Sequence, residues 1–448
     1  RVAIAGKVKA GKSTLLNARV GELRAPTGTG ECTKVVTWYR DGHTYQVLLY
    51  PADGSTPVQA RFHRDDGSID VDLDGRDAND VDRLDVTWPS EGLRTLTLVD
   101  TPGVDSLTSG VATRAFEFLD PEDGDTPADA VIYLMKHIHA SDLRLLEAFH
   151  DDTVSTPSPV NAVAVLSRAD EIGAGRLDSM ESANRIAGRL GDDPRLRRLV
   201  QMIVPVAGLV AETGETISEI EYRQLVRLAE LGDDIELHLL SADRFVSPTV
   251  DAPLDVAERQ GLLDRFGVFG VRIAIAAIRD GAVQTSQELA DHLVDLSGLS
   301  RLREVLTTLF VARADVLKAR SALLGVERLC QSASEAAAAP VLAELERVMA
   351  GAHPFNEMVT MAAVRSGWVS GPAKQLADLE LLLGCSGGAA HTRLGLADTA
   401  PMSEVRSVAL EQLSRWQRLA ENPLTTHDLA SAMRVGIRTL EGLVADAS

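Results

Sequence analysis

Apolar positions follow one rhythm up to about residue 300 and another beyond it. In the first part short uninterrupted runs recur: Val2-Ala3-Ile4-Ala5, Leu96-Thr97-Leu98-Val99, Ala130-Val131-Ile132-Tyr133-Leu134-Met135, Ala162-Val163-Ala164-Val165-Leu166 and Ile203-Val204-Pro205-Val206. Runs of this length without polar alternation suit strands buried on both faces. Helical patterns separate them, as at Ser13 to Ala18 and from Ser141-Asp142 onward. This order predicts an α/β domain, a mainly parallel sheet with helices on both faces and its ligand at the strand C-terminal ends. Ile69, Val71 and Leu73 alternate with aspartates, which predicts a half-exposed strand running into an Asp74-Gly75 turn.

After Ser297-Gly298 the strand signals stop. Leu302, Leu309, Val316, Leu323 and Cys330 recur every seven residues beside Phe310, Leu317 and Leu324, the stripe of one long helix over Arg301 to Leu329. Further helices are expected over Pro340 to Met349, Lys374 to Leu383, Glu404 to Ala420 and His427 to Val444, between Gly and Pro breaks. The division is therefore 1–300, α/β, and 301–448, all-α.

The first strand run leads into Gly6-Lys7-Val8-Lys9-Ala10-Gly11-Lys12-Ser13, a complete P-loop, and then into a helical pattern from Thr14 to Ala18. Here Gly6 and Gly11 let the backbone N–H groups around Val8, Lys9 and Ala10 curl around phosphates. Lys12 reaches the β- and γ-oxygens, and the Ser13 hydroxyl ligates Mg²⁺ beside Thr14 at a helix start that favours anions. The chain is expected to bind a nucleoside triphosphate.

Later motifs select the nucleotide. In Asp100-Thr101-Pro102-Gly103 the carboxylate can hold Mg²⁺ through water, and the Gly103 amide can face the γ-phosphate. Ser167-Arg168-Ala169-Asp170 stands where guanine-binding proteins carry Asn/Thr-Lys-x-Asp. Asp170 can accept from guanine N1–H and the exocyclic amine, a pair adenine lacks, while the Arg168 stem can cover the base. Ser for Asn or Thr and Arg for Lys depart from the usual form. GTP is favoured over ATP, the alternative being Asp170 as a helix cap. At Val206-Ala207-Gly208 the Ala207 N–H is expected to be available to guanine O6.

Between these motifs, Ala25-Pro26-Thr27-Gly28-Thr29-Gly30-Glu31-Cys32-Thr33-Lys34 resembles the switch I of dynamins. With Val35 to Arg40, Ser167 to Arg176 and Leu263 to Arg272, the chain is similar through nearly all its length to the mycobacterial isoniazid-inducible dynamin-like proteins, most to their C member. The resemblance implies a dynamin-type GTPase domain over 1–300 and a helical neck and stalk over 301–448. It implies that Thr33 closes over Mg²⁺ and the attacking water, and that the GTPase domains pair when GTP binds. It also implies peripheral binding to lipid at the inner face of the plasma membrane, membrane remodelling, and partners that are the protein itself or a related dynamin-like protein. In that family the first neck helix lies upstream of the P-loop strand, and this chain begins at that strand without a Met.

The resemblance also marks a catalytic difference. Many GTPases place Gln after Asp-x-x-Gly to orient the attacking water; here Val104 stands there and can neither donate nor accept through its side chain. Eukaryotic dynamins use a Gln and a Ser inside the P-loop, the Ser helping to hold a monovalent cation, and the matching positions are Val8 and Lys9. The Lys9 ammonium can replace that cation, as the in-cis arginine finger of guanylate-binding proteins does. Its other reading is an exposed lysine that raises nucleotide affinity.

Composition narrows the remaining choices. With 448 residues and 45% apolar content, the chain can build the cores of two or three domains. Its three cysteines, Cys32, Cys330 and Cys385, have no metal-ligand spacing and point to a reducing cytoplasm without disulfides or zinc. No apolar run approaches the roughly 18 residues of a membrane span. The net charge of −20 is concentrated before residue 301: 15 basic and 16 acidic residues follow that point, and 30 and 49 precede it. Nucleic acid is not an expected partner for so acidic a domain. Asp70-Val71-Asp72-Leu73-Asp74-Gly75 opens like a calcium loop, but Val81 occupies the closing Glu position, which favours the strand reading.

Two stretches of the helical part are open to a second reading. Phe355, Met358, Met361 and Trp368, between Pro354 and Gly367, and the nearly uncharged Leu381 to Leu396 either form a membrane-facing tip or complete the core. The function expected is a GTP- and Mg²⁺-dependent membrane-remodelling GTPase. The alternatives are a soluble regulatory or assembly GTPase whose helical part binds a protein, and an ATP-dependent enzyme.

Overall fold

A computed structural model describes residues 1–7, 10–20, 35–65, 68–73, 75–102, 128–136, 161–232 and 234–447. Its described strands are β1 (Val2–Gly6), β2 (Val36–Asp41), β3 (Gln46–Pro51), β4 (Val58–Gln59), β5 (Phe62–Asp65), β6 (Ser68–Val71), β7 (Val81–Trp88), β8 (Leu98–Asp100), β9 (Ala130–Met135), β10 (Ala162–Ser167) and β11 (Ile203–Val206). Nine of them form a sheet in the order β11-β10-β9-β1-β8-β2-β7-β3-β4. The run from β11 to β8 is parallel. β2 runs antiparallel to β8, and β3 antiparallel to β7. All five predicted runs are therefore strands, and β9 and β10 are buried at every position, as expected for parallel strands covered on both sides. β5 and β6 pair separately, with Val71 and Leu73 buried, so residues 68–71 of this acidic stretch form a strand as expected; Asp74 of the expected turn lies outside the described residues.

Helices cover both faces. In chain order they are α1 (Lys12–Val20), α2 (Ser179–Gly191), α3 (Pro194–Arg197), α4 (Gly208–Thr216), α5 (Glu219–Ala229), α6 (Asp234–His238), α7 (Ala242–Phe245), α8 (Val256–Arg279) and α9 (Ser286–Leu296). Capping boxes at Ser218/Glu221 and Asp255/Glu258 start α5 and α8 by satisfying orphan N–H groups. Gly267 breaks α8 with φ 64° and ψ 173°, a conformation that disfavours any residue with a Cβ.

From Leu299 onward all described elements are helical: α10 (Leu299–Leu306), α11 (Ala314–Ser332), α12 (Glu335–Gly351), α13 (His353–Ser366), α14 (Ala373–Leu382), α15 (Ala390–Leu394), α16 (Met402–Ala420) and α17 (His427–Asp446). The expected single helix over Arg301 to Leu329 is interrupted by a π turn at Thr307–Val311. Thr307 and Thr308 hydroxyls donate back to the carbonyls of Arg303 and Glu304, both at 2.9 Å, a local competition that disturbs a helix. Beyond the break, Arg313 donates to the carbonyls of Leu383 and Gly384 at the end of α14.

The candidate tip is mostly core. Residues 353–366 are helix α13, with Phe355, Met358 and Met361 buried, as are Leu382, Leu383 and Leu394 of the second stretch. Their apolar side chains complete the bundle; Trp368, at 64% exposure, is the exception. One apolar cluster runs from Val2 and Ile4 of the sheet through Phe310 and Leu317 to Leu440. No helix among the described residues is long and apolar enough to cross a membrane.

Candidate functional site

β1 delivers Gly6 so close to β9 that a Cβ there would lie 2.6 Å from the Leu134 carbonyl oxygen. Gly11 has φ 89° and opens α1 at Lys12. The Lys12 ammonium donates to the carbonyls of Gly6 at 3.1 Å and Lys7 at 3.3 Å, so it lies over the loop whose phosphates it would neutralise. Ser13 and Thr14 occupy the first turn of α1, where backbone N–H groups lack helical partners.

Asp100 ends β8, paired in register with Ile4. Burial pushes its carboxyl up to about 6, with the Lys12 charge pulling it back. Its Oδ1 has no hydrogen-bond partner among the described residues. An orphaned buried carboxylate oxygen one strand from the Ser13 hydroxyl fits a hard dication. No group of three or more His, Cys, Asp or Glu gathers among the described residues, so a cation here would take most of its ligands from phosphate and water.

At the other end, β10 runs out at Ser167 and Arg168 adopts a left-handed conformation, φ 54° and ψ 41°, before a one-turn helix at Ala169–Glu171. Burial raises the Asp170 carboxyl above its usual range, and Arg168 and Lys136 oppose that rise. A cleft of about 230 Å³ joins the two ends, with Ala10, Gly11 and Thr14 on one side and Ser167, Arg168 and Asp170 on the other. The break in α8 supports the base side: a Cβ at Gly267 would stand 3.4 Å from Leu209 Cδ2 and 4.0 Å from Asp170 Oδ2.

One expected contact is corrected. The Ala207 N–H donates to the Ser297 carbonyl at 2.9 Å and the residue is fully buried, so that amide is already used. Gly208 and Leu209 line the cleft instead. Sequence reasoning also gave no site role to Leu134, Leu209, Glu171 and Gly267, although Glu171 and Gly267 lie inside the quoted Ser167 to Arg176 and Leu263 to Arg272 runs. Val8, Lys9, Thr33, Gly103 and Val104 lie outside the described residues.

The arrangement can place phosphates against α1, a dication between Ser13 and Asp100, and a purine edge against Asp170. The Dynamin family model matches residues 2–141. Over 453 aligned residues, 100% of this chain and 90% of the relative, the chain is 38% identical to isoniazid-induced protein IniC of Mycobacterium tuberculosis, in strains CDC 1551 and H37Rv alike. A 62-residue stretch, 14% of this chain and 9% of the relative, is 40% identical to the bacterial dynamin-like protein of Nostoc punctiforme. A solved structure, described as an oligomerised bacterial dynamin pair that provides a mechanism for the long-range sensing and tethering of membranes, aligns over 100% of this chain and 72% of its own. Its identity is 15% and its TM-score 0.32.

Proposed function

This chain belongs to the Ini-type bacterial dynamin-like GTPases, and we propose that it binds GTP with Mg²⁺ in the cleft between the P-loop and Asp170 and hydrolyses it. The observation that carries this reading is the shared cleft, which puts Gly11 and Thr14 opposite Arg168 and Asp170 at the strand C-terminal ends. Lys12 neutralises the β- and γ-phosphates, Ser13 and Asp100 hold Mg²⁺ directly and through water, and Thr33 and the Gly103 amide close on the γ-phosphate. Asp170 reads the guanine edge beneath the Arg168 stem, with Gly208 beside it. Mg²⁺, when bound, would supply charge neutralisation to the triphosphate. Within the Ini group the kinship favoured is to the C member.

Residues 1–300 act as the GTPase domain and 301–448 as neck and stalk. GTP pairs two GTPase domains, and hydrolysis moves stalks that hold lipid at the inner face of the plasma membrane, with the protein itself or a related dynamin-like protein as partner. Lys9 supplies positive charge to the transition state in place of the monovalent cation that eukaryotic dynamins hold there. Co-sedimentation with anionic liposomes, with and without a GTP transition-state mimic, tests this. Mimic-dependent pelleting supports the membrane role, whereas GTP hydrolysis without lipid pelleting assigns the helical part to a soluble protein partner. Equal competition by ATP overturns the nucleotide assignment.

A further inference from the structure

The parallel pairing of β9 with β10 brings Leu166 level with Met135, so Lys136 and the Ser167-Arg168 turn leave the sheet side by side. Glu171 lies at the end of the turn that follows. Its Oε1 accepts from Arg168 Nη1 at 2.8 Å and its Oε2 from Lys136 Nζ at 2.5 Å, so each carboxylate oxygen has its own cation. We propose that Glu171, clasped between Arg168 and Lys136, is the positioning residue that fixes the Arg168 side chain over the nucleobase. This rests on the cleft being the nucleotide site.

Three observations point to a role beyond solvated surface pairing. Arg168 and Glu171 both line the cleft at its base end, next to Asp170. Arg168 holds a left-handed backbone that is costly for any residue with a Cβ, and this turns its side chain toward Glu171 three positions on. Finally, the clasp gives the Arg168 guanidinium a carboxylate of its own, so Asp170 need not serve as its counter-ion and keeps its acceptor edge for the base. Lys136 supplies the second cation, which holds Glu171 in place so that Glu171 in turn holds Arg168. The side chains are 39–45% exposed, so removing any one is not expected to unfold the domain.

The test compares Glu171→Gln and Lys136→Met with the parent in equilibrium titration of a fluorescent GDP and in steady-state GTP hydrolysis. The expected result is a rise of about three- to fivefold in the GDP Kd and GTP KM with kcat unchanged. The double variant is no weaker than either single one, Lys136→Arg restores parental affinity, and the nucleotide-free melting temperature stays at the parental value. GDP affinities equal to the parent's in both single variants overturn the proposal, as does a fall in kcat at constant KM. A parent that fails to bind GDP overturns instead the assignment of the cleft.

Discussion

Arg303 donates to the carbonyl of Ala18 at 3.1 Å, from the first helix after Gly298 to the C-terminal half of the helix that opens at the P-loop. The same guanidinium pairs with Glu215 of α4 at 2.7 Å, and Asn17 donates to Glu212 one turn earlier on α4. One arginine thus bridges α1, α4 and α10, so the nucleotide helix and the start of the helical region share a polar joint. Arg303→Ala leaves a half-buried carboxylate and a helix-end carbonyl without their donor. The expected loss is about 1–2 kcal/mol, read as a lower urea midpoint at unchanged slope. Arg303→Lys should recover only part of it, because the shorter lysine side chain lacks the rigid planar fork that reaches the Ala18 carbonyl and the Glu215 carboxylate together. A parental midpoint for Arg303→Ala would remove the joint.

Lys12→Ala is expected to abolish triphosphate binding, since it removes the ammonium that lies over the loop. Ser13→Asn should spare the fold and chiefly damage the Mg²⁺-dependent part of affinity. Calorimetric titration with and without Mg²⁺ separates the two; near-parental GTP affinity in Lys12→Ala would refute the phosphate site.

Asp170 governs base choice and its pH dependence together. Asp170→Asn should turn preference from guanine toward xanthine, because an amide can donate to a carbonyl at base position 2 where a carboxylate only accepts. Burial raises the Asp170 carboxyl, and guanine binding requires the ionised form. Affinity for GDP should therefore be level well above that raised value and fall as pH drops through it, beginning at a higher pH than an ordinary aspartate would give. Titrations across mildly acid pH check this, and a level profile down to the usual carboxylate range would contradict it.

Glu380 of α14 accepts from Arg197 of α3 and, at 3.3 Å, from Arg365 of α13, which also donates to the Val200 carbonyl at 3.2 Å. The side chains of Arg365 and Glu380 are only 10% and 12% exposed. Removing the Glu380 charge leaves Arg365 buried without its carboxylate, whereas removing Arg365 leaves Glu380 with Arg197 alone. Glu380→Gln is therefore expected to cost about 3 kcal/mol, and Arg365→Met with Glu380→Leu to lie nearer the parent than either single change. Urea unfolding of the four proteins decides it; additive losses in the double variant would show that the pair is not coupled.

The elements legible in the sequence are those whose pattern is local. Uninterrupted runs gave β1, β8, β9, β10 and β11, and the glycines and lysine of the P-loop located the start of α1. What was missed depends on partners far along the chain. Ala207 loses its expected contact to Ser297, ninety residues later. Phe355, Met358 and Met361 read equally well as an apolar tip or as core until α13 is packed against its neighbours. The π turn at Thr307 hides inside an unbroken seven-residue repeat, because two threonine hydroxyls and not the apolar stripe decide it. Lys136 lacks any motif and Glu171 stands in a quoted run without a role of its own, since only strand pairing brings the two together.

Lys9 carries the sharpest catalytic prediction, because Val104 leaves the site without the usual water-orienting glutamine. If its ammonium meets charge that develops only in the transition state, Lys9→Ala lowers kcat and leaves GTP binding nearly intact. Arginine fingers contribute about 10³ to 10⁵ in rate, and a lysine, a point charge without the planar fork, should fall below that range. Hydrolysis by the parent should be nearly indifferent to replacing K⁺ by a non-coordinating cation, while Lys9→Ser should gain K⁺ dependence, since the hydroxyl frees the space and offers a ligand. Strong K⁺ stimulation of the parent, or equal few-fold losses in affinity and turnover in Lys9→Ala, would return Lys9 to holding nucleotide and leave Thr33 and domain pairing to account for the rate.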